Sequence, residues 1–237
     1  MTMSLKGKAM ADIRYINKVA DDGWINGLED KTGTLLPLCK YTKLEMRGSK
    51  AGRTNFLVLD GAQRGKLLSM KDGNAATYIG TTAPSTGVAS VTVTYGKYVE
   101  GWVSKARRNQ KLDQQFATLK IGRITAEVTM NTVWGTGFYP LKPGSYNILV
   151  PDAPHKGDMT TFYRNVAPSL VHDQVWFPIE FGDNSRYVHV GNLSDGCTTV
   201  VSLDMWPDIC EALISNRSVN GKYVGLLTIK GKPERES

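Results

Sequence analysis

The sequence predicts a mainly β protein, a β-sandwich or barrel with one or two short helices, preceded by a small N-terminal β module. Three observations carry that expectation. Apolar and polar residues alternate over short runs such as Val91-Thr-Val-Thr-Tyr95, the period of a half-buried strand. Turn pairs such as Asp60-Gly61, Gly122-Arg123 and Pro143-Gly144 separate those runs. Helical spacing is persuasive in one segment, 204–215, where Trp206, Ile209, Cys210 and Leu213 recur on one face.

Taken in order, residues 11–30 have mixed polarity and predict no defined element. From Thr42 the pattern changes: Leu44 and Met46 alternate with polar residues, Gly48 to Gly52 forms a turn, and Asn55–Leu59 reads as a strand closed by Asp60-Gly61. Gly65–Met70 reads as the next strand, ended by a turn at Lys71-Asp-Gly73. These strands predict a small module over about 40–82, bounded by the turn-rich run Thr81–Gly87, so the chain divides into 1–82 and 83–237. The module either binds a surface such as wall, partner or virion, or packs as an extension against the second domain.

In the second domain Phe116–Ile121 and Ile124–Met130 predict a hairpin around Gly122-Arg123, and Tyr146–Val150 a strand after the Pro143-Gly144 turn. Tyr187, Val188 and Val190 have the composition of a buried strand, with His189 at or near its end. The helix over 204–215 takes Asp204 as N-cap and tolerates Pro207 in its first turn. Tyr223–Ile229 is apolar on both faces and predicts a central strand, followed by a polar tail from Gly231.

Composition narrows the function. A net charge of +7 draws the protein towards polyanions, but the densest basic cluster, Lys105 to Lys111, lacks interleaved aromatics and reads as a solvated turn or helix face. No nucleic-acid partner is expected. The first ten residues hold two lysines but no apolar run of signal-peptide length, and no later stretch is long enough to span a bilayer. The three cysteines show no framework or metal spacing; Cys39 and Cys210 lie in apolar runs and read as packed. Neither His-Glu-x-x-His nor Cys-x-x-Cys occurs, nor a phosphate-binding or dinucleotide glycine loop, so no metal and no cofactor is expected. The Gly-x-Ser-x-Gly elbow of serine hydrolases is absent too.

What remains is Arg186–Val200, which sets an imidazole, a hydroxyl and a thiol around one sharp turn. A thiol needs a neighbouring base or positive charge to become a nucleophile, and His189 is the histidine near Cys197 in sequence. Gly196 lets successive backbone N–H groups of Asp195 and Gly196 point into one concavity, which suits an oxyanion. Ser194 either orients the imidazole or supports the turn.

The order of His189, a short loop, then Ser194-Asp195-Gly196-Cys197 and an apolar strand resembles the catalytic signature of the L,D-transpeptidases, cysteine enzymes that cross-link peptidoglycan. Leu141-Lys-Pro-Gly-Ser-Tyr-Asn-Ile148 is similar to the strand entry that precedes the motif in that family. Asp195 stands where the family has histidine, and Thr198-Thr199 replace its usual apolar-Arg or apolar-Asn pair. The resemblance covers roughly the last half of the chain. It implies that Cys197 is the nucleophile, His189 its base and Ser194 a supporting residue, that peptidoglycan stem peptides are the partner, and that the protein works in the periplasm or cell wall. It also places His155 near the mouth of the site, where it either contacts substrate or is solvated, and makes Arg186 either a replacement for the missing carboxylate-binding arginine or an exposed strand-edge residue.

Overall fold

The computed structural model describes residues 11–104, 109–135, 137–155 and 157–235. Within these the chain builds two β assemblies, each around its own apolar core. Most of the basic run at 105–111 and the last two residues of the tail fall outside the described residues.

The first assembly draws on β1 (Ile13–Ile16), β2 (Trp24–Glu29), β3 (Thr34–Cys39), β4 (Lys43–Lys50), β5 (Arg53–Val58), β6 (Leu67–Lys71) and β7 (Ile79–Gly80). They form a seven-stranded sheet in the order β3-β2-β6-β5-β4-β1-β7. Residues 11–30, expected to be without defined structure, therefore supply two strands. β1 pairs antiparallel with β4, Ile13 opposite Glu45. β2 lies between β3 and β6. Inward-facing Ile16, Leu44, Phe56, Val58 and Leu68 fill this core, each contributing about 1.5–3 kcal/mol by leaving water. The turn expected at Lys71-Asp-Gly73 opens a short helix instead, α1 (Asp72–Tyr78), whose Ala75 packs into the same core.

The second assembly is a closed barrel of β9 (Ala89–Ser104), β10 (Gln110–Ile121), β11 (Ile124–Asn131), β12 (Gly144–Leu149), β13 (Phe177–Ile179), β14 (Arg186–Val190), β15 (Thr198–Val200) and β17 (Tyr223–Lys230). Around the barrel the order is β10-β11-β15-β14-β13-β12-β17-β9. The predicted hairpin is present: β10 and β11 pair from Gln115↔Asn131 to Ile121↔Ile124. Two joints are parallel, β14 with β15 and β17 with β9. β17 is paired on both sides, but its two faces are not alike: Val224, Leu227 and Ile229 are buried, while Thr228 and Lys230 join Leu226 on the outer side. A closed barrel has one wet face, so alternation returns.

Between these strands lie α2 (Gly157–Thr160), a 3-10 turn (Thr161–Asn165) and α3 (Trp206–Ile214). A two-residue β16 (Asn216–Arg217) pairs with β8 (Ser85–Thr86) outside the barrel. The helix expected at 204–215 starts later than predicted. Asp204 lies in a preceding 3-10 turn and makes no capping bond, Met205 holds the N-cap position, and Pro207 sits in the first turn. The buried face of α3, Trp206, Ile209, Cys210 and Leu213, joins the barrel core.

The two assemblies meet at the turn before β2. Trp24 Nε1 donates to Gln174 O at 3.1 Å, His172 N to Asp21 O at 2.5 Å, and Arg164 Nη2 to Asp21 O at 3.2 Å. Lys40 Nζ reaches Glu211 Oε2 at 2.8 Å. The segment pinned by these contacts, 172–176, leads into β13 and forms one wall of the candidate site.

Candidate active site

β14 ends at Val190, and a short loop returns the chain to the start of β15, which runs parallel beside it with His189 opposite Thr199. That register brings His189 and Cys197 to one cavity of about 250 Å³, lined also by Met159, Tyr163, Trp176 and Leu193. Its walls are predominantly apolar, which sets the electrostatics of both groups. Burial pushes the Cys197 thiol up to about 11, against smaller lowering by the Tyr187 N–H, which donates to Sγ at 3.4 Å, and by the Arg186 charge. Burial likewise lowers the His189 imidazole to about 4, opposed by its bond to Val190 O and reinforced by His155. Both groups are therefore neutral at rest near pH 7.

His189 is held on three sides. Its Nδ1 lies 2.9 Å from Val190 O and its Nε2 2.9 Å from Thr199 Oγ1. A carbonyl only accepts, so this network puts the proton on Nδ1 and leaves Nε2 as the basic nitrogen, accepting from the Thr199 hydroxyl. Thr199 Oγ1 also lies 3.1 Å from Leu193 O, so its single proton has two alternative acceptors. The imidazole face stacks on Trp176 at 3.9 Å and 18°. No hydrogen bond joins His189 to Cys197 among the described residues; they share the cavity and not a contact.

The other predicted residues fall as follows. Ser194 does not touch the imidazole: its Oγ donates to Cys197 O at 2.7 Å, its N–H donates to Thr132 Oγ1, and its carbonyl accepts from Thr132 N. It supports the turn, and Thr199 takes the place beside the histidine. Asp195 is exposed at the tip. The Gly196 N–H, expected in an oxyanion hole, donates instead to Asn131 Oδ1 at 3.0 Å. Asn131 Nδ2 in turn binds Val133 O and Phe138 O, so this one amide ties the end of β11 to two loops. His155 lies on the far face of Trp176, stacked at 4.0 Å and 9°, with Nε2 3.8 Å from Asp152 Oδ1. It does not line the cavity.

Arg186 lies directly over the Gly196 turn. Its Nη1 donates to Tyr139 O at 2.7 Å, its guanidinium stands 5.7 Å from the rings of both Phe138 and Phe181, and it forms no ion pair among the described residues. A Cβ at position 196 would fall 1.4 Å from Nη1, and φ there is +75°. Glycine is required on both counts.

Behind the cavity lies a buried polar network that sequence reasoning missed. Tyr163 and Asn192 exchange two hydrogen bonds, Asn192 Nδ2 bonds Ser104 Oγ, and Gln114 joins Asn192 O to the Thr132 hydroxyl. These residues come from five separate parts of the chain, so no local pattern announces them. Asp173, fully buried, accepts from Thr160, Thr161 and Arg164, fixing α2 and the turn that follows it over the site.

No protein-family model matches the chain, and no curated protein and no solved structure matches it either. Among the described residues no group of three or more His, Cys, Asp or Glu is placed to hold a metal ion, and no helix is long and apolar enough to cross a membrane.

Proposed function

We propose that the chain is a cysteine acyl-transfer enzyme with an L,D-transpeptidase-like barrel, acting on peptidoglycan stem peptides in the periplasm or cell wall. The observation that carries this reading is the meeting of His189 and Cys197 at one small, largely apolar cavity through the parallel register of β14 and β15. The Cys197 S–H bond breaks as its proton passes to His189 Nε2, and the thiolate attacks the carbonyl of the third residue of a stem tetrapeptide. As Nε2 gains its proton, the Thr199 hydroxyl turns to Leu193 O and accepts from Nε2–H, so the imidazolium keeps a partner. With the Gly196 N–H committed to Asn131, the oxyanion falls to the N–H of Cys197. Collapse expels terminal D-Ala, whose amine takes the proton from His189, and leaves a thioester on Cys197. An amine, water or a D-amino acid then resolves it, giving a cross-link, a carboxypeptidase product or an exchange product. Arg186, a cation beside the thiol that forms no ion pair among the described residues, suits the carboxylate of such a peptide.

Mass spectrometry after incubation with disaccharide-tetrapeptide muropeptides, beside Cys197→Ala, tests this. Loss of D-Ala or a dimer dependent on Cys197 is the expected result; intact substrate with no trapped thioester overturns it.

A second reading is a binding or structural protein that retains a degenerate transpeptidase fold. The raised thiol pKa and the engagement of both His189 nitrogens elsewhere favour it. Iodoacetamide labelling separates the two: a catalytic Cys197 labels at neutral pH much faster than buried Cys39 and Cys210, whereas uniform slow labelling supports the structural reading.

A further inference from the structure

The rings of His155, Trp176 and His189 form one continuous stack, running from the partly exposed Asp152–His155 pair to the buried imidazole. Trp176 has no hydrogen bond to either histidine; its Nε1 donates backwards to Asp173 O at 3.3 Å, which fixes the plane of the indole. The wall that carries it is pinned from the N-terminal sheet through Trp24 and Asp21. A stack this parallel does more than fill space. An imidazolium over an indole face is attracted by the ring quadrupole, and most strongly where water is excluded.

We propose that Trp176 is a positioning residue that seats the His189 imidazole, stabilises it when it takes a proton, and couples it to His155, so that protonation of the outer histidine opposes protonation of the inner one. This rests on the dyad reading of the site above. When His189 accepts the thiol proton, its positive charge develops against one face of the indole. When His155 is also protonated, a second positive charge lies on the opposite face, about 8 Å away through the ring by the two stacking distances. At an effective dielectric of 20 that repulsion slows proton transfer by up to about thirtyfold. The carboxylate of Asp152 partly offsets the outer charge. Tyr187 meets both His155 and Trp176 edge-on, and across the cavity the thiol of Cys197 is flanked by Arg186 and Asp195. His189 itself faces Val190 O and Thr199, neither of which titrates. His155 is thus the ionisable side chain stacked in line with it.

The sign follows from the charges. Proton transfer to His189 is slower when His155 carries a proton, and replacing His155 by an uncharged ring removes that effect. The test is the rate of Cys197 alkylation by iodoacetamide between pH 5 and pH 9, read by peptide mass spectrometry on the full chain, for the wild type, Trp176→Phe, Trp176→Leu, His155→Phe and His189→Ala. Trp176→Leu is expected to slow alkylation about tenfold and Trp176→Phe to restore most of the rate. His155→Phe is expected to keep the neutral rate and to make the acid limb shallower, leaving the fall that protonation of the Cys197 thiolate imposes by itself. A wild-type acid limb in His155→Phe together with a wild-type rate in Trp176→Leu, alongside a large loss in His189→Ala, overturns the coupling and leaves the dyad standing. No loss in His189→Ala overturns the dyad and the coupling with it. If Trp176→Leu does not fold, His155→Phe at its partly exposed position decides the matter alone.

Discussion

Replacing Gly196 by alanine separates the requirement for the turn from the requirement for Arg186. The backbone at 196 is left-handed, which costs a residue with a Cβ about 1–2 kcal/mol. The added carbon would also sit 1.4 Å from Arg186 Nη1, 2.6 Å from its Cζ and 2.8 Å from Tyr139 O. The guanidinium must therefore leave, and its charge-assisted bond to Tyr139 O goes with it, a further loss of about 1.5–3 kcal/mol. The expected total is about 3–5 kcal/mol. Gly33→Ala is the control: its backbone is also left-handed, at φ +69°, but nothing lies within 4 Å of the added carbon, so only the backbone cost applies. In urea unfolding Gly196→Ala should fall about 2 kcal/mol or more below Gly33→Ala, and in thermal unfolding by roughly 4–8 °C. Equal losses in the two variants would falsify the placement of Arg186 over the turn.

Three further outcomes follow from the same geometry. His189 is buried neutral with its pKa lowered from 6.5 to about 4, so the unfolded chain binds its proton first; the stability this group contributes is present above pH 6.5 and declines by about 3 kcal/mol as pH falls to about 4. His189→Gln should show a flatter profile of urea midpoint against pH across that window, and a profile as steep as the wild type argues against a buried neutral imidazole. Asp173→Ala removes the acceptor of two threonines and Arg164; because Arg164 is partly exposed and can rehydrate, the loss is near the lower end for a broken buried pair, about 3 kcal/mol by urea unfolding. Trp24→Phe keeps the ring but removes the bond to Gln174 O, lowering stability by about 1 kcal/mol and increasing amide exchange across 172–176; unchanged exchange there refutes the pinning of that wall.

The strands legible in the sequence are those whose own residues alternate. Val91–Tyr95 lies inside β9, and Phe116–Ile121 and Ile124–Met130 lie inside β10 and β11. β1 and β2 escaped because Ile-Arg-Tyr-Ile and Trp-Ile-Asn-Gly-Leu-Glu carry little periodicity of their own, and long-range pairing with β4, β3 and β6 decides their conformation. α1 escaped because Asp72-Gly73 is good turn chemistry that the packing of Ala75 overrides. At the site, sequence order was enough to bring His189 and Cys197 together, since a tight loop joins their strands. It could not show Thr199 as the partner of the imidazole, because that contact depends on strand register, nor Trp176, which reaches His189 across the β13–β14 pairing. Ser194 was the nearer hydroxyl in the motif, yet its side chain satisfies the carbonyl of Cys197.

The joint between β17 and β9 closes the barrel, and it pairs residues 225–230 with residues 89–94. A nascent chain thus holds β9 ready, with one edge unpaired, until β17 has been made. Until β17 arrives, both β9 and β12 present open edges, the usual templates for pairing with another molecule. Loss of β17 would therefore reach further than the few residues removed: it would convert a closed cylinder into an open, adhesive sheet whose polar network and thiol are no longer sealed by a complete ring.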